Sequence, residues 1–228
     1  MMRRNIALIP AAGVGARFGA GKPKQYVEIN GKTVLQHTIE IFEQHSRIDL
    51  IAVILSPEDS VFQTALSEKV RIFRVGGASR AETVRNGVSV LLEQGLAEMQ
   101  DNILVHDAAR CCLPAEALTR LLDEAGENDE GGILAIPVAD TLKRSDGSHH
   151  IEETVARAGL WQAQTPQLFQ TALLHRALSV DDLSEITDEA SAVEKLGIRP
   201  RLVQGDTRNL KLTLPQDEYI VRLLLKAV

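Results

Sequence analysis

Residues 10–19 form a loop of small side chains, the first segment whose composition suits a chemical task. Small residues let backbone N–H groups come close to phosphate oxygens. Arg17 lies in the loop and Lys24 follows it, so two fixed positive charges stand beside those N–H groups. Cations in such a place suit a phosphoryl group that gains negative charge during transfer. The alternative interpretation is a flexible glycine turn with solvated charges.

The glycine spacing of this loop excludes two common phosphate-binding patterns. A dinucleotide-binding loop would carry its third glycine where Phe18 stands. A Walker loop would place Ser or Thr after its lysine, but Pro23 follows Lys22. The loop therefore predicts a phosphate site of another kind.

A second candidate segment, Val-His-Asp-Ala-Ala-Arg at residues 105–110, follows an apolar run. The carboxylate of Asp107 could bind hydroxyl groups or support a metal ion, and it could equally form an ion pair with Arg110. His106 is expected to be a packed residue at the strand end rather than a base. The sequence has no histidine and cysteine cluster with the spacing of a zinc site.

Further candidates lie in the second half of the chain. Threonine hydroxyls and an arginine suit a phosphate carried on a polyol, and they occur at Thr141, Arg157, Thr165 and Thr187. The alternative for these residues is helix capping and turn chemistry, and Thr187 is expected to be an N-cap. Lys211 lies between apolar residues and could be a ligand or a surface lysine.

Composition narrows the class of protein. The chain has 228 residues, 44% hydrophobic and 4% aromatic, with a formal net charge of −6, which disfavours general nucleic-acid or membrane binding. The adjacent Cys111 and Cys112 do not suit normal disulfide geometry and are expected to be reduced. The apolar stretch near the N-terminus stops at Pro10, too early for a signal peptide. We expect a cytoplasmic protein.

Apolar runs alternate with amphipathic stretches along the chain. Strands are predicted at residues 5–9, 50–55, 70–75, 103–106, 132–138 and 201–204. Helices are predicted at residues 33–45, from 79 after a capping-box pattern, at 114–125, 171–178 and 187–196, and from 215. This alternation predicts an α/β fold, a mostly parallel Rossmann-like twisted sheet with helices on both faces. The loops at Ala11, Gly76 and Asp107 should then meet at one sheet edge.

Residues 139–160 break this pattern. They are polar and rich in turn residues, and their flanks could pair as a hairpin with little core of its own. We predict one domain over residues 1–228, from which 139–160 extends as a β-arm that packs on another subunit.

Together these segments resemble the 2-C-methyl-D-erythritol 4-phosphate cytidylyltransferases of the non-mevalonate isoprenoid pathway. The matching segments run in family order over nearly the whole chain, at residues 10–17, 23–26, 76–77, 105–110, 140–141, 159–161, 165–167, 187–191 and 209–211. The resemblance implies transfer of CMP from CTP to 2-C-methyl-D-erythritol 4-phosphate with release of pyrophosphate.

The resemblance also implies a role for each candidate. The CTP pocket would be lined by Ala11, Ala12, Gly13, Gly77, Thr83 and Ala108. The catalytic cations around the triphosphate would be Arg17, Lys24 and Lys211. The acceptor would be bound by Asp107, Thr165 and Thr187 and, from the partner subunit through the arm, by Thr141, Arg157 and Arg110. Mg²⁺ would be held mainly by the CTP phosphates, with no protein metal site, and the enzyme would be a homodimer.

Three positions depart from the family pattern. Cys111 stands where proline is usual, Ala78 where an acidic residue is frequent beside the CTP site, and Ala156 where an aspartate is common before Arg157. If that aspartate orients the arginine in the family, another group must do so in this chain.

Alternative functions remain open at this stage. A ribitol 5-phosphate cytidylyltransferase would share the loop and the chemistry. A sugar-nucleotide glycosyltransferase would present an Asp-x-Asp motif where residues 107–109 read Asp-Ala-Ala. A non-catalytic CTP-binding module would need the pocket but not its surrounding cations.

Overall fold

The computed structural model describes residues 3–13, 23–62 and 67–226. The strands are β1 (Asn5–Pro10), β2 (Glu28–Ile29), β3 (Lys32–Thr33), β4 (Leu50–Ile54), β5 (Val70–Phe73), β6 (Asn102–Val105), β7 (Gly132–Pro137), β8 (Leu142–Ser145), β9 (Ile151–Val155), β10 (Trp161–Gln170) and β11 (Arg201–Gln204). The helices are α1 (Val34–Gln44), α2 (Arg80–Glu93), α3 (Ala115–Ala125), α4 (Thr171–Leu178), α5 (Glu189–Glu194) and α6 (Asp217–Leu224), and a short 3-10 helix covers Lys24–Tyr26.

The main sheet of the described residues has the strand order β11-β7-β10-β6-β1-β4-β5. Strand β1 pairs in parallel with β4 and β6, β4 pairs with β5, and β7 pairs with β11. Only β10 runs antiparallel in this sheet, between β6 and β7. The predicted α/β fold with a mostly parallel sheet is therefore confirmed.

Helices cover both faces of the sheet, as predicted. Apolar side chains of α1 and α3 pack on one face, and those of α2, α4 and α5 pack on the other. The central strands are continuously apolar because both of their faces are buried. Among the described helices, none is long and apolar enough to cross a membrane.

Strand β10 is the main element that the sequence analysis missed. Pro166 lies inside it, and a proline argues against a central strand because it donates no ladder hydrogen bond. The register between β10 and β7 shifts between Ala163 and Gln167, which places Pro166 at an irregularity of the ladder. The missing N–H is therefore tolerated in a central strand.

Two predicted helix starts differ in detail. The Ser79 side chain caps α2 by accepting from the N–H of Glu82, but the Glu82 carboxylate accepts from Ala78 instead of closing a capping box. Helix α5 begins at Glu189, two residues after the predicted start at residue 187, and Asp188 rather than Thr187 is its N-cap. The prediction that Thr187 caps this helix was wrong, since the carboxylate of Asp188, three residues before Ser191, accepts from the N–H of Ser191.

Residues 139–160 contain the hairpin that the sequence predicted. Strands β8 and β9 pair only with each other, in a separate two-stranded sheet. Nearly all of their side chains are exposed, including Ile151 at 67%. The hairpin thus has almost no core within its own chain.

Candidate active site

A cavity of about 450 Å³ opens at the carboxyl edge of the sheet, where the loops after β1, β5 and β6 meet. The predicted convergence of these three loops is confirmed. The lining contains these candidate residues: Ala11, Ala12, Gly13, Lys24, Gly77, Thr83, Asp107, Ala108 and Lys211. Arg17 lies outside the described residues.

The small residues of the first two loops allow their backbones to pack together. The N–H of Ala11 donates to Ile54 and that of Gly76 to Leu55, both at 2.8 Å. A Cβ atom at Gly76 would lie 2.3 Å from the Cβ of Ala12, so only glycine fits there. The first loop is thereby fixed against the second.

The first turn of α2 shapes the turn that contains Gly77. The Thr83 hydroxyl accepts from the N–H of Gly77 at 3.1 Å and donates to the carbonyl of Ser79 at 2.9 Å. The Glu82 carboxylate accepts from the N–H of Ala78 at 2.8 Å. A side chain at residue 82 thus supplies an acidic group beside the cavity, although residue 78 is alanine.

Three cations surround the carboxylate of Asp107. Lys211 Nζ lies 2.8 Å from Oδ2, Arg80 Nε lies 3.0 Å from Oδ1, and Arg110 Nε lies 3.5 Å from Oδ2. Burial alone would raise the pKa of Asp107, but Arg80 and Lys211 outweigh burial and hold that pKa well below its usual range. Asp107 is therefore ionised and can only accept hydrogen bonds.

Arg80 also binds a second carboxylate, that of Glu189 at the start of α5. Two nitrogens of Arg80 reach the two oxygens of Glu189 at 2.6 and 3.0 Å, and the Glu189 side chain is 1% exposed. Burial would lower the pKa of Arg80, but Glu189 and Asp107 raise it. Arg80 is thus a charged link between the cavity and a buried glutamate.

Arg80 and Glu189 are site residues that the sequence did not predict. Arg80 follows Ser79 at a predicted helix start, and this position favoured a capping interpretation. Because the loops before this helix and after the strand that ends near Asp107 were predicted to meet at one sheet edge, the sequence could have placed Arg80 close to Asp107. Glu189 lies in the matching segment 187–191, but its place in the first turn of a helix also fits an exposed glutamate, so the sequence assigned it no role.

His106 and Thr165 connect β6 to β10 beneath Asp107. His106 Nε2 donates to the carbonyl of Arg110 at 2.9 Å, so Nδ1 accepts from the Thr165 hydroxyl at 3.1 Å. The same hydroxyl accepts from the N–H of Asp107 at 3.0 Å. Burial lowers the pKa of His106 to about 4, so its ring is neutral at pH 7. His106 is a packed positioning group, as expected.

Arg110 and Asn209 tie the Lys211 segment to the same loop. Arg110 donates to the carbonyl of Asn209 at 2.7 Å, and Asn209 donates to the carbonyl of Thr165 at 2.7 Å. The N–H of Leu212 donates to the carbonyl of Ala109 at 2.9 Å. Arg110 therefore lies on the loop after β6 of its own chain, not on the arm with which the resemblance grouped it.

The structure does not bring Thr141, Arg157 and Thr187 to the cavity of their own chain. All three are exposed, and none lines the cavity. Arg157 donates to the backbone carbonyl of Ala139, which answers how it is oriented without an aspartate at residue 156. Any contact of Thr141 or Arg157 with the acceptor must therefore involve another copy of the chain or a movement of the arm.

The chemistry of the cavity follows from its charges. Arg80, Arg110 and Lys211 face two carboxylates, which leaves positive charge beside Lys24 and the N–H groups of the first loop. Such a cavity suits a polyanion with hydroxyl groups. Within the described ranges, no group of three or more His, Cys, Asp or Glu residues could hold a metal ion.

Comparison with known proteins agrees with this geometry. The family profile of 2-C-methyl-D-erythritol 4-phosphate cytidylyltransferase matches residues 5–227. A protein of that name from Neisseria meningitidis serogroup C is 70% identical over 100% of both chains. A crystal structure of a 4-diphosphocytidyl-2C-methyl-D-erythritol synthase has 64% identity and a TM-score of 0.89, covering 99% of this chain and 100% of its own. The crystal structure of the Francisella tularensis 2-C-methyl-D-erythritol 4-phosphate cytidylyltransferase has 31% identity and a TM-score of 0.82, and the match covers 97% of this chain and 99% of that one. This chain belongs to the 2-C-methyl-D-erythritol 4-phosphate cytidylyltransferase family.

Proposed function

We propose that this protein transfers CMP from CTP to 2-C-methyl-D-erythritol 4-phosphate, giving 4-CDP-2-C-methyl-D-erythritol and pyrophosphate for isoprenoid precursor synthesis. The observation that carries the proposal is the cavity in which a loop of small residues, Lys24 and Lys211 meet beside Asp107. The full-length family match supports the same reaction and favours methylerythritol phosphate over ribitol phosphate.

The proposed mechanism is a direct in-line displacement. A phosphate oxygen of the acceptor attacks the α-phosphorus of CTP, and the bond from that phosphorus to the bridging oxygen of pyrophosphate breaks. The acceptor phosphate is already an anion near neutral pH, so the reaction needs no strong general base. Lys24, Lys211 and Arg17 stabilise the charge that grows on the α-phosphate and on the leaving oxygens.

The pocket for the nucleotide is formed by the first two loops. Ala11, Ala12 and Gly13 present backbone groups to the phosphates. Gly77 and Thr83, before and in the first turn of α2, and Ala108, in the loop after β6, lie beside the nucleoside. Glycine at residue 77 is needed because a Cβ atom there would lie 2.3 Å from Glu82.

Asp107 holds hydroxyl groups of the acceptor. Its carboxylate has about four lone-pair sites, and its ion pairs with Arg80, Lys211 and Arg110 leave room for a further donor. The low pKa of Asp107 keeps it an acceptor for those hydroxyls. Thr165 positions Asp107 by accepting from its N–H. Thr187 directly precedes the N-cap of α5 and does not line the cavity of its own chain, so its proposed contact with the acceptor requires a movement of this segment.

Mg²⁺ enters with CTP in this proposal. Among the described lining residues, Asp107 is the one carboxylate, and Arg80, Arg110 and Lys211 already neutralise its charge, so it is a poor ligand for a further cation. The residues therefore fit an ion held through the phosphate oxygens. When bound, Mg²⁺ neutralises phosphate charge.

The arm completes the site of a second subunit in a homodimer. Its strands pair only with each other, and Ile151, Leu160 and Trp161 are exposed apolar side chains on or next to it. A symmetric dimer would cover these residues and bring Thr141 and Arg157 to the acceptor phosphate of the partner. We place the enzyme in the cytoplasm, where Cys111 and Cys112 stay free thiols, as they are in the structure.

The test is pyrophosphate release from CTP with Mg²⁺, comparing 2-C-methyl-D-erythritol 4-phosphate with ribitol 5-phosphate. The proposal expects a strong preference for the methylerythritol substrate. A preference for ribitol 5-phosphate would keep the mechanism and change the acceptor. Release with neither acceptor would refute the proposed function.

A further inference from the structure

Gln25 holds the loop of small residues through two hydrogen bonds. Its Nε2 donates to the carbonyl of Ala11 at 3.0 Å and to that of Gly13 at 2.9 Å. The residue is 5% exposed, so water competes little for these bonds. An amide that binds two carbonyls of one loop fixes the peptide planes that carry them.

The plane between residues 11 and 12 decides where the N–H of Ala12 points. In a trans peptide the C=O and the N–H point in opposite directions. Because the carbonyl of Ala11 points to Gln25, the N–H of Ala12 points away from it. Within the described part of the chain, no group accepts a hydrogen bond from this N–H, and Ala12 lines the cavity. None of the described residues therefore competes with a ligand for this N–H.

Gly76 restrains Ala12 in a second way, through close backbone packing. The 2.3 Å that would separate a Cβ at residue 76 from the Cβ of Ala12 shows how closely the two backbones approach. Ala12 therefore has little room to move toward the loop after β5. Gln25 and Gly76 together therefore restrain the peptide plane between residues 11 and 12.

Gln25 also lies next to Lys24 in the short 3-10 helix, so it joins the backbone of that lysine to the loop. The Tyr26 hydroxyl donates to the carboxylate of Asp59 and anchors the same helix on its other side. We propose that Gln25 is a positioning residue for cytidylyl transfer, one that sets the N–H of Ala12 and Lys24 at a fixed spacing for the CTP phosphates. This inference rests on the proposed function, because it requires those phosphates in this cavity.

Steady-state kinetics of Gln25→Met test the proposal, since methionine keeps the length of the side chain without its donors. We expect kcat/KM for CTP to fall about 10- to 100-fold, the scale of a displaced reacting group. The KM for the methylerythritol substrate should stay within about twofold, because Asp107 and its partners lie on another loop. Inhibition by cytidine, which has no phosphate, should not change. Gln25→Asn, a milder variant that keeps the amide, should show the same pattern with a smaller loss.

Thr171→Val is the matched control for losing a buried hydrogen bond to a backbone carbonyl. The Thr171 hydroxyl donates to Asp101 at 3.0 Å where β6 begins, at the opposite edge of the sheet from the cavity. This variant should lower Tm and leave both KM values unchanged.

Two results would overturn the proposal. One is folded Gln25→Met or Gln25→Asn with wild-type kinetics toward CTP. The other is an equal fall in kcat/KM for both substrates that parallels the fall in Tm of the variants. Wild-type protein that releases no pyrophosphate would instead remove the proposed function, and this inference with it.

Discussion

The cavity and the hairpin arm differ in what holds their functional side chains. In the cavity, Arg80 joins the buried carboxylates of Asp107 and Glu189, and these ion pairs connect the loop after β6 to helices α2 and α5. On the arm, the arginine of interest, Arg157, is exposed and bonds to the backbone of Ala139 in the same segment. The ion pair of Arg144 with Glu153 likewise stays within the hairpin and is exposed.

This difference indicates a division of labour. Groups that meet the developing charge must be held rigidly before the substrate arrives, and buried, fully partnered charges achieve this. Groups of the arm that bind the acceptor in the partner's cavity must instead be exposed in the single chain. Mutations should accordingly affect stability and catalysis together in the cavity, but only substrate binding and association on the arm.

The largest expected effect is on the buried pair of the cavity. Glu189→Gln removes the more deeply buried of the two counter-charges of Arg80 and leaves it only Asp107; removing one partner of a buried ion pair costs about 3 to 5 kcal/mol. Urea unfolding monitored by circular dichroism measures this loss. Glu153→Gln on the arm is the control, and its effect should stay within about 1 kcal/mol. Equal effects of the two variants would contradict the comparison.

Lys24→Ala should reduce turnover by about 10²- to 10³-fold, the cost of removing one stabilising group from developing charge. The matched control is Lys32→Ala, because Lys32 is exposed and pairs with Glu40 on the surface. That variant should turn over like the wild type. Near-normal turnover of folded Lys24→Ala would refute the role of Lys24.

Low pH should lower the stability of the folded chain, because His106 is buried in its neutral form. Its pKa is about 4 in the folded chain and about 6.5 when unfolded, so the unfolded chain binds more protons between these values. Stability due to His106 is therefore full above pH 6.5 and declines as pH falls to 4, by about 3 kcal/mol at roughly 1.4 kcal/mol per pH unit. His106→Gln keeps a hydrogen-bond donor for the carbonyl of Arg110 but does not titrate. Its free energy of unfolding, measured at pH 7 and pH 4, should therefore lack the part of the pH dependence that is due to His106. Parallel pH dependence of both proteins would exclude a buried neutral His106.

The smallest expected effect is on the arm. Arg157→Ala removes one charge-assisted contact to the acceptor phosphate and should raise its KM about tenfold, with the KM for CTP unchanged. Stability should hardly change, because Arg157 is exposed. Arg144→Ala on the same hairpin should change neither KM. A rise in the KM for CTP alone would place Arg157 at the nucleotide instead.

The sequence predicted the parts of the site that depend on loops after apolar strands. The loops at Ala11, Gly76 and Asp107 were placed correctly because parallel strands bring their carboxyl ends to one edge. Strand β10 was missed because Pro166 disfavours a strand, and only the irregular pairing with β7 allows it. Arg80 and Glu189 were missed because their pairing depends on the packing of α2 near α5, which local periodicity does not encode.

Complementation between two variants tests most directly whether each site combines one chain's cavity with the partner's arm. Lys24→Ala disables the cavity, and Arg157→Ala, assayed at low acceptor concentration, disables the arm. If subunits exchange freely, about half of the dimers in an equal mixture are mixed, and each mixed dimer has one intact site. We predict that pyrophosphate release recovers to about a quarter of the wild-type rate. A mixture no more active than the average of the two variants would contradict a site shared between subunits.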